Sequence, residues 1–432
     1  MGPRAAGAAG QVGLAGTTIV LDPDTTVQED LHGGCAPWVA GLRRPERPKL
    51  DRSMRCEVLI VGAGITGSLM AEHLSALGRQ VCVIDRERPG FGSTSASTAM
   101  LQWEIDCSLT ELTAFYGFER AADVYRRSLD AVSGLRSLID EAGLRCFFRH
   151  RSSLYLAGGD VGARNLRAEH DLRTRAGLPG VYLDYQTLRR EFAIDREAAI
   201  LSPGSADADP VLLSLGLAAI AVARGGSIFD AAAVSYESTA GGILIGLDNG
   251  HSIEAEQVVL ATGYVMPDFL DTDLHTTASS WAIATPPQAP DALWRDGVLI
   301  WEASRDYLYA RTTVDRRIVI GGEDDSSIVD PARRDDVMPG KSATILQKLK
   351  ILCPKANATA DYVWSGAFGE TKDGLPLIGQ VPGQPRLFAA YGYGGNGITF
   401  SFLASRLIGR MIAGHRESWF QHFAIDRPTP KG

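Results

Sequence analysis

The chain has no CxxC pair, no net positive charge and no apolar run long enough to cross a bilayer, and each absence removes a class of function. Its six cysteines, Cys35, Cys56, Cys82, Cys107, Cys146 and Cys353, stand singly, and Cys56 and Cys82 fall in or beside expected buried strands. They read as core thiols of a reducing compartment. With 51 Asp and Glu against 43 Lys and Arg, the net charge of −8 argues against a nucleic-acid partner. No cluster of His, Cys and carboxylates has metal-ligand spacing, so no metal is expected, and no GxSxG elbow sits between a strand and a helix. The most apolar helical stretch, 211–223, is too short for a membrane span. The N-terminus lacks the continuous apolar segment of a signal peptide, which makes the cytoplasm the expected location.

What the chain does have is concentrated in residues 56–86. Residues 58–61 form a short apolar, β-branched run suited to a strand buried on both faces, and Gly62, Ala63, Gly64, Ile65, Thr66 and Gly67 follow at once. Gly62 permits the tight turn, Gly64 lets backbone N–H groups approach a pyrophosphate, and Gly67 lets the next helix lie close to the sheet. Met70, Leu74 and Leu77 recur at helical spacing, Gly78 stops the helix, and 81–84 is a second buried strand closed by Asp85. An acid at that distance accepts hydrogen bonds from ribose hydroxyls and repels the extra phosphate of NADP. The segment is therefore expected to hold an adenine dinucleotide.

At 432 residues the chain exceeds what one core serves, so two connected domains are expected. Residues 1 to about 50, rich in Gly, Ala, Pro and Arg, read as a loosely ordered arm. Helices are expected over 108–145 and from Asp209-Pro210 to Arg224, and strands over 152–156, 227–233 and 243–247. The strand at 257–260 runs into a second glycine turn, Ala261-Thr262-Gly263. Strands over 281–285, 307–311 and 317–321 suggest a different sheet, the substrate layer.

The GAGITG run at 62–67, Asp85, the hydroxyl segment GSTSAST at 92–98, the turn at 261–263, GETKDGLPLIG at 369–379 and YGYGGNGITFS at 391–401 together resemble the FAD-dependent amine and amino-acid oxidoreductases of the D-amino-acid oxidase fold. The resemblance covers about 54–415. It implies an α/β architecture in which a Rossmann-like FAD-binding domain, split into 54–106, 201–265 and 360–415, carries a mostly antiparallel sheet plus helices, 107–200 and 266–359, as the substrate domain. The arm would be 1–53 and a tail 416–432. It also implies that Arg86, Ser93, Thr94, Ser95, Val234, Thr262 and Gly263 join the glycine turn in holding FAD, and that hydride leaves a carbon bearing nitrogen.

The residues support FAD over NAD independently. Only one dinucleotide fingerprint exists, and a nicotinamide enzyme has no need of the distant cluster Gly392, Gly394, Gly395 and Gly397 before an apolar helix. The N-terminus of that helix, with Gly395, Asn396, Gly397, Ile398 and Thr399, would present free N–H groups to the negative charge that a reduced flavin gains. The competing readings are a glycine turn that merely caps a helix and, for Ser93 to Ser95, a plain polar loop.

For the substrate, a strand over 307–311 puts Tyr307, Tyr309 and Arg311 on one face, where two aromatics and a guanidinium would hold an apolar amine and pair its carboxylate; the alternative is a surface strand with a solvated arginine. Many amino-acid oxidases of the resembled fold carry a carboxylate-binding arginine just before the DG motif, but this chain has Gly366, Ala367, Phe368 and Gly369 there. An α-amino acid is thereby less secure as substrate, and an amine, N-alkylated compound or cyclic amine becomes plausible. Gly366 also stands where some relatives link flavin through cysteine, so FAD is expected to be non-covalent. His73 and His275 are bases by residue type and receive no catalytic role. Direct hydride transfer to flavin N5, hydrolysis of the imine and reoxidation by dioxygen or another acceptor are expected, with activity rising with pH. A dehydrogenase of a 2-hydroxy acid or polyol phosphate, or an FAD-bearing subunit needing a partner, remains open.

Overall fold

The computed structural model describes residues 31–270, 274–304 and 307–428, together with two short paired strands, Val12–Leu14 and Thr17–Ile19. Two sheets organise it. In the first, Ser227–Asp230, Val81–Asp85, Met54–Val61 and Ser252–Leu260 lie parallel in that order. The far edge of Ser252–Leu260 is shared: its first half pairs antiparallel with Ile243–Leu247, its second half parallel with Leu387–Tyr391. Val58, Leu59, Ile60, Val258, Val259 and Leu260 are all fully buried, as a two-faced parallel sheet demands.

Helices Ile65–Ala76, Pro210–Ala223 and Gly397–Ile412 pack on this sheet. Small polar side chains stitch them together, with Ser68 and Ser214 hydroxyls 3.0 Å apart and Thr66 and Ser401 hydroxyls 2.8 Å apart. Asp209 starts the second helix by accepting from the Val211 and Leu212 amides at 3.0 and 2.9 Å, with Pro210 at the first helical position. No described helix is long and apolar enough to cross a membrane.

The second sheet runs, in spatial order, His32–Gly34, Tyr362–Thr371, His275–Ala284, Ile318–Asp325, Leu308–Thr312, Leu299–Ala303, Arg149–Ala157, Ala198–Asp207 and Met100–Leu101. All neighbours are antiparallel except Leu299–Ala303 with Arg149–Ala157. Helix Pro331–Leu352 covers one face, where Trp281 is fully buried and donates its Nε1–H to the Arg334 carbonyl at 3.2 Å. The two long strands Ala198–Asp207 and Tyr362–Thr371, together with Met100–Leu101, belong to this sheet, so the chain crosses between layers near 208 and 372, not at 201 and 360 as expected. Both strands continue past the expected boundaries because their extended chain is held in antiparallel pairs up to Asp207 and Thr371.

Residues 31–53 differ from the expected loose arm. His32–Gly34 pairs with Tyr362–Thr371, and the Cys35 amide donates to the Val363 carbonyl at 3.0 Å. The Trp38 indole sits edge-on to Trp364 with centroids 5.4 Å apart and donates to the Ser95 carbonyl at 2.6 Å. Burial of Trp38, Val39 and Leu50 supplies the apolar area that Gly- and Pro-rich composition concealed.

Candidate active site

Strands Met54–Val61 and Ser252–Leu260 end in register, Val61 opposite Leu260, so both glycine turns emerge side by side. Gly62 takes φ +110°, and a Cβ there would fall 2.3 Å from the Ala261 carbonyl oxygen. A Cβ at Gly67 would fall 1.8 Å from the Gly62 oxygen, so the helix that follows rests directly on the turn. Gly67 thus shapes the cradle without facing the space above it.

That space is one continuous cavity of about 740 Å³. At its dinucleotide end it is walled by Gly62, Gly64, Ile65 and Thr66, by Asp85 and Arg86, by Val234, and by Thr262 and Gly263. Asp85 accepts from the Glu87 amide at 2.8 Å and from the Ala63 amide, and burial, the largest influence on it, pushes its pKa up to about 6. The hydroxyl segment divides its labour. Ser93 lines the cavity with a buried Oγ that has no hydrogen-bond partner among the described residues. Thr94 also lines it and accepts from the Ile65 amide at 2.9 Å, tying the segment to the start of the dinucleotide helix. Ser95 lies away from the cavity, contrary to expectation. Its hydroxyl is spent on the Gly92 carbonyl at 2.8 Å and on that of Phe91.

At mid-cavity the wall is Gly395, Asn396, Gly397 and Ile398. Helix Gly397–Ile412 has no side-chain cap, and a Cβ at Gly397 would meet nothing within 4 Å. Asn396 donates to the Gln102 and Glu104 carbonyls at 3.2 and 2.8 Å, leaving its buried Oδ1 without a partner. Thr399 does not wall the cavity with its side chain, which donates to the Gln102 carbonyl at 2.8 Å and ties down the helix start. Orphaned acceptors at Ser93 and Asn396, an uncapped helix start and an open glycine shelf suit a long ligand bearing phosphates, ribose and a flat ring that gains negative charge. These residues fit FAD.

Beyond lies the second sheet. Tyr307 and Tyr309 line the cavity, their ring centroids 5.9 Å apart. Tyr307 donates to Asp324 Oδ2, and the Tyr309 hydroxyl lies 3.2 Å from that of Ser280. Arg311 does not join them. It is 3% exposed, donates through Nη2 to the Ala208 carbonyl at 3.0 Å and through Nε to the Thr98 carbonyl, and stands 3.8 Å from Asp207. The strand has passed behind the cofactor segment by then, so its side chain meets protein carbonyls. Phe368, at the position expected for a family arginine, lines the cavity.

Sequence reasoning missed Asp106, Ser280 and Asp324, all of which face the cavity. Asp106 accepts from the Gly395 amide at 2.6 Å, and burial raises its pKa. Glu104 also lines the cavity, its pKa raised by burial against the opposing effect of Arg173, 3.9 Å away. Trp103 beside it is core, donating to the Pro203 carbonyl at 2.9 Å. His275 opens the strand His275–Ala284, and burial lowers its pKa.

A split dinucleotide sheet, a cavity bridging it to an antiparallel sheet, and an uncapped helix start at the junction define a flavin-dependent oxidoreductase. The chain belongs to the FAD dependent oxidoreductase (DAO) family, whose model matches residues 57–411. It is 26% identical over 383 residues to gamma-glutamylputrescine oxidoreductase of Escherichia coli K12, covering 87% of each chain. It is 24% identical to glycine oxidase of Bacillus licheniformis, over 86% of this chain and 98% of that one. Its fold is similar to the crystal structure of glycine oxidase from Geobacillus kaustophilus, with a TM-score of 0.73 at 21% identity over 87% of this chain and 99% of the other.

Proposed function

We propose that this FAD-dependent oxidoreductase oxidises the C–N bond of an amine or amino acid. The observation that carries the reading is the single cavity joining the dinucleotide cradle to the Tyr307 and Tyr309 face. FAD, when bound, supplies a two-electron acceptor for the hydride on the carbon beside nitrogen. The neutral amine thereby becomes an iminium, which takes up water after release and yields a carbonyl compound and the protonated amine or ammonia.

The chain's own part is binding, orientation and electrostatics. The glycine shelf and Ser93 hold the cofactor's phosphates, and the first turn of Gly397–Ile412 turns a partial positive charge toward the cavity. Tyr307 and Tyr309, fixed by Asp324 and Ser280, close the substrate end against water. No acid or base side chain is obligatory when the lone pair of a neutral amine drives the hydride out. Dioxygen or another acceptor completes the cycle, and six free cysteines suit the reducing cytoplasm.

The test is the visible spectrum of the purified holoprotein, oxygen excluded, with amines, amino acids and hydroxy acids added in turn. Bleaching by a nitrogen compound supports the reading; bleaching by hydroxy acids alone replaces it with C–O oxidation.

A further inference from the structure

We propose that the substrate end of the cavity is a cation site, so that the nitrogen compound oxidised here is a di- or polyamine, one nitrogen reacting while another sits as ammonium against Asp324. The inference deepens the C–N reading and rests on it.

Charge carries the argument. Asp106 and Asp324 both line the cavity, and Glu370, on strand Tyr362–Thr371, interacts electrostatically with both. Among the described residues that wall the cavity, Arg86 is the only cationic side chain, and it stands at the dinucleotide end beside Asp85. Arg311, the one arginine that sequence placed here, is committed to the Ala208 and Thr98 carbonyls. An α-amino acid would therefore bring its carboxylate to carboxylates with no counter-charge, whereas an ammonium finds them ready.

The detail at Asp324 points the same way. One of its oxygens accepts from Tyr307, while the other is buried and has no hydrogen-bond partner among the described residues. Ser280 lies beside it and lowers its pKa as a polar neighbour, with its hydroxyl also 3.2 Å from that of Tyr309, but it makes no hydrogen bond to that oxygen. Lys341, the cation behind it, does not wall the cavity; it donates to the Glu323 carbonyl at 3.0 Å and lies 3.6 Å from Asp325. Two phenol rings and a half-satisfied carboxylate form the kind of cage that recognises an alkylammonium, by charge at one side and by ring faces at the other. Tyr307, Tyr309 and Phe368 offer apolar surface for the methylene chain between two nitrogens.

The experiment uses the FAD-loaded wild-type protein, anaerobically, and compares flavin reduction by 1,4-diaminobutane and spermidine with butylamine, glycine, N-methylglycine, D-alanine and L-proline. The expected result is that 1,4-diaminobutane or spermidine reduces the flavin at least about tenfold more efficiently than butylamine, and that the amino acids lag behind. Equal efficiency for diamine and butylamine, or reduction by amino acids only, overturns the cation site and leaves C–N oxidation standing. Reduction by none of these compounds overturns both. In Asp324→Asn that retains its flavin spectrum, the ratio of diamine to butylamine efficiency is expected to fall to about one, whatever loss the two substrates share through the freed Tyr307. A preserved advantage there also overturns the proposal, and the wild-type comparison decides the matter alone if the variant does not hold FAD.

Discussion

The phenol of Tyr309 lies over Gly321 of the neighbouring strand, so closely that a Cβ at Gly321 would fall 2.4 Å from the Tyr309 hydroxyl oxygen and 2.6 Å from its Cζ. The two residues are register partners in the antiparallel pair, which makes the glycine the floor on which the ring rests. In Gly321→Ala the ring must lift into the cavity and give up its contact with Ser280. Because the ring borders open space, the strain is relieved by displacement, and stability should fall by only about 1 kcal/mol. The expected signature is a Michaelis constant raised roughly tenfold, with FAD content unchanged, read from steady-state kinetics and the flavin absorbance of the same preparation.

Arg311 is buried among carbonyls of two cofactor-side segments, and its removal leaves Thr98 and Ala208 oxygens and part of Asp207 unpaired. Arg311→Ala is therefore expected to cost about 3 kcal/mol of stability and to weaken FAD retention, since Thr98 belongs to the segment that carries Ser93 and Thr94. A denaturant melt and a flavin-to-protein absorbance ratio check this. A variant of normal stability with only a raised Michaelis constant would restore the carboxylate-clamp idea.

How far the sequence could be read follows from how local each piece of the site is. Gly62, Gly64, Gly67 and Asp85 act through a contiguous strand, turn and strand, so their spacing alone announces them. Ser93 and Asn396 sit beside such turns and were reachable from composition. The substrate end is different, because Ser280, Tyr309 and Asp324 meet only through the register of three strands, a hairpin over 308–325 and the strand His275–Ala284 that a long connection separates from it. Strand alternation placed Tyr307, Tyr309 and Arg311 on one face, but it could not show where the cavity ends along that strand. The packing of 31–53 was hidden for a similar reason: its partners, Trp364 and Ser95, are far away in the chain.

The C-terminal segment expected as a tail contains a clamp. Arg427 donates to Asp373 from Nη2 at 2.7 Å and from Nε at 2.8 Å, and Tyr116 donates to the same carboxylate at 2.6 Å. Burial works to raise the Asp373 pKa, and these donors more than offset it, so the net shift is downward. Asp373 follows the long strand that carries Phe368, so the clamp fixes one wall of the cavity from outside. Arg427→Ala leaves a buried carboxylate without its fork and is expected to destabilise the fold by about 3 kcal/mol, measured by urea unfolding. The destabilisation should shrink in acid, because a protonated Asp373 no longer needs the guanidinium.

The cation site makes a prediction about pH whose sign can be worked out. Asp324 is held near a pKa of about 6, first by burial and further by Asp106, while Ser280, Tyr307 and Lys341 pull it down; Tyr309 and Glu370 also face it. Its folded-state pKa lies above the unfolded value of about 3.9, so the stability it contributes is fully present below that value and is lost as pH rises through about 6. A bound ammonium neutralises the charge that causes the loss. Stabilisation by 1,4-diaminobutane should therefore be large at about pH 8 and fade below about 6, where the carboxyl is protonated and offers no charge. The check is the shift in melting temperature caused by added diamine at several pH values, measured anaerobically on holoprotein whose flavin has been reduced beforehand so that the diamine is not consumed. A shift independent of pH, or one that persists in Asp324→Asn, would place the ammonium elsewhere.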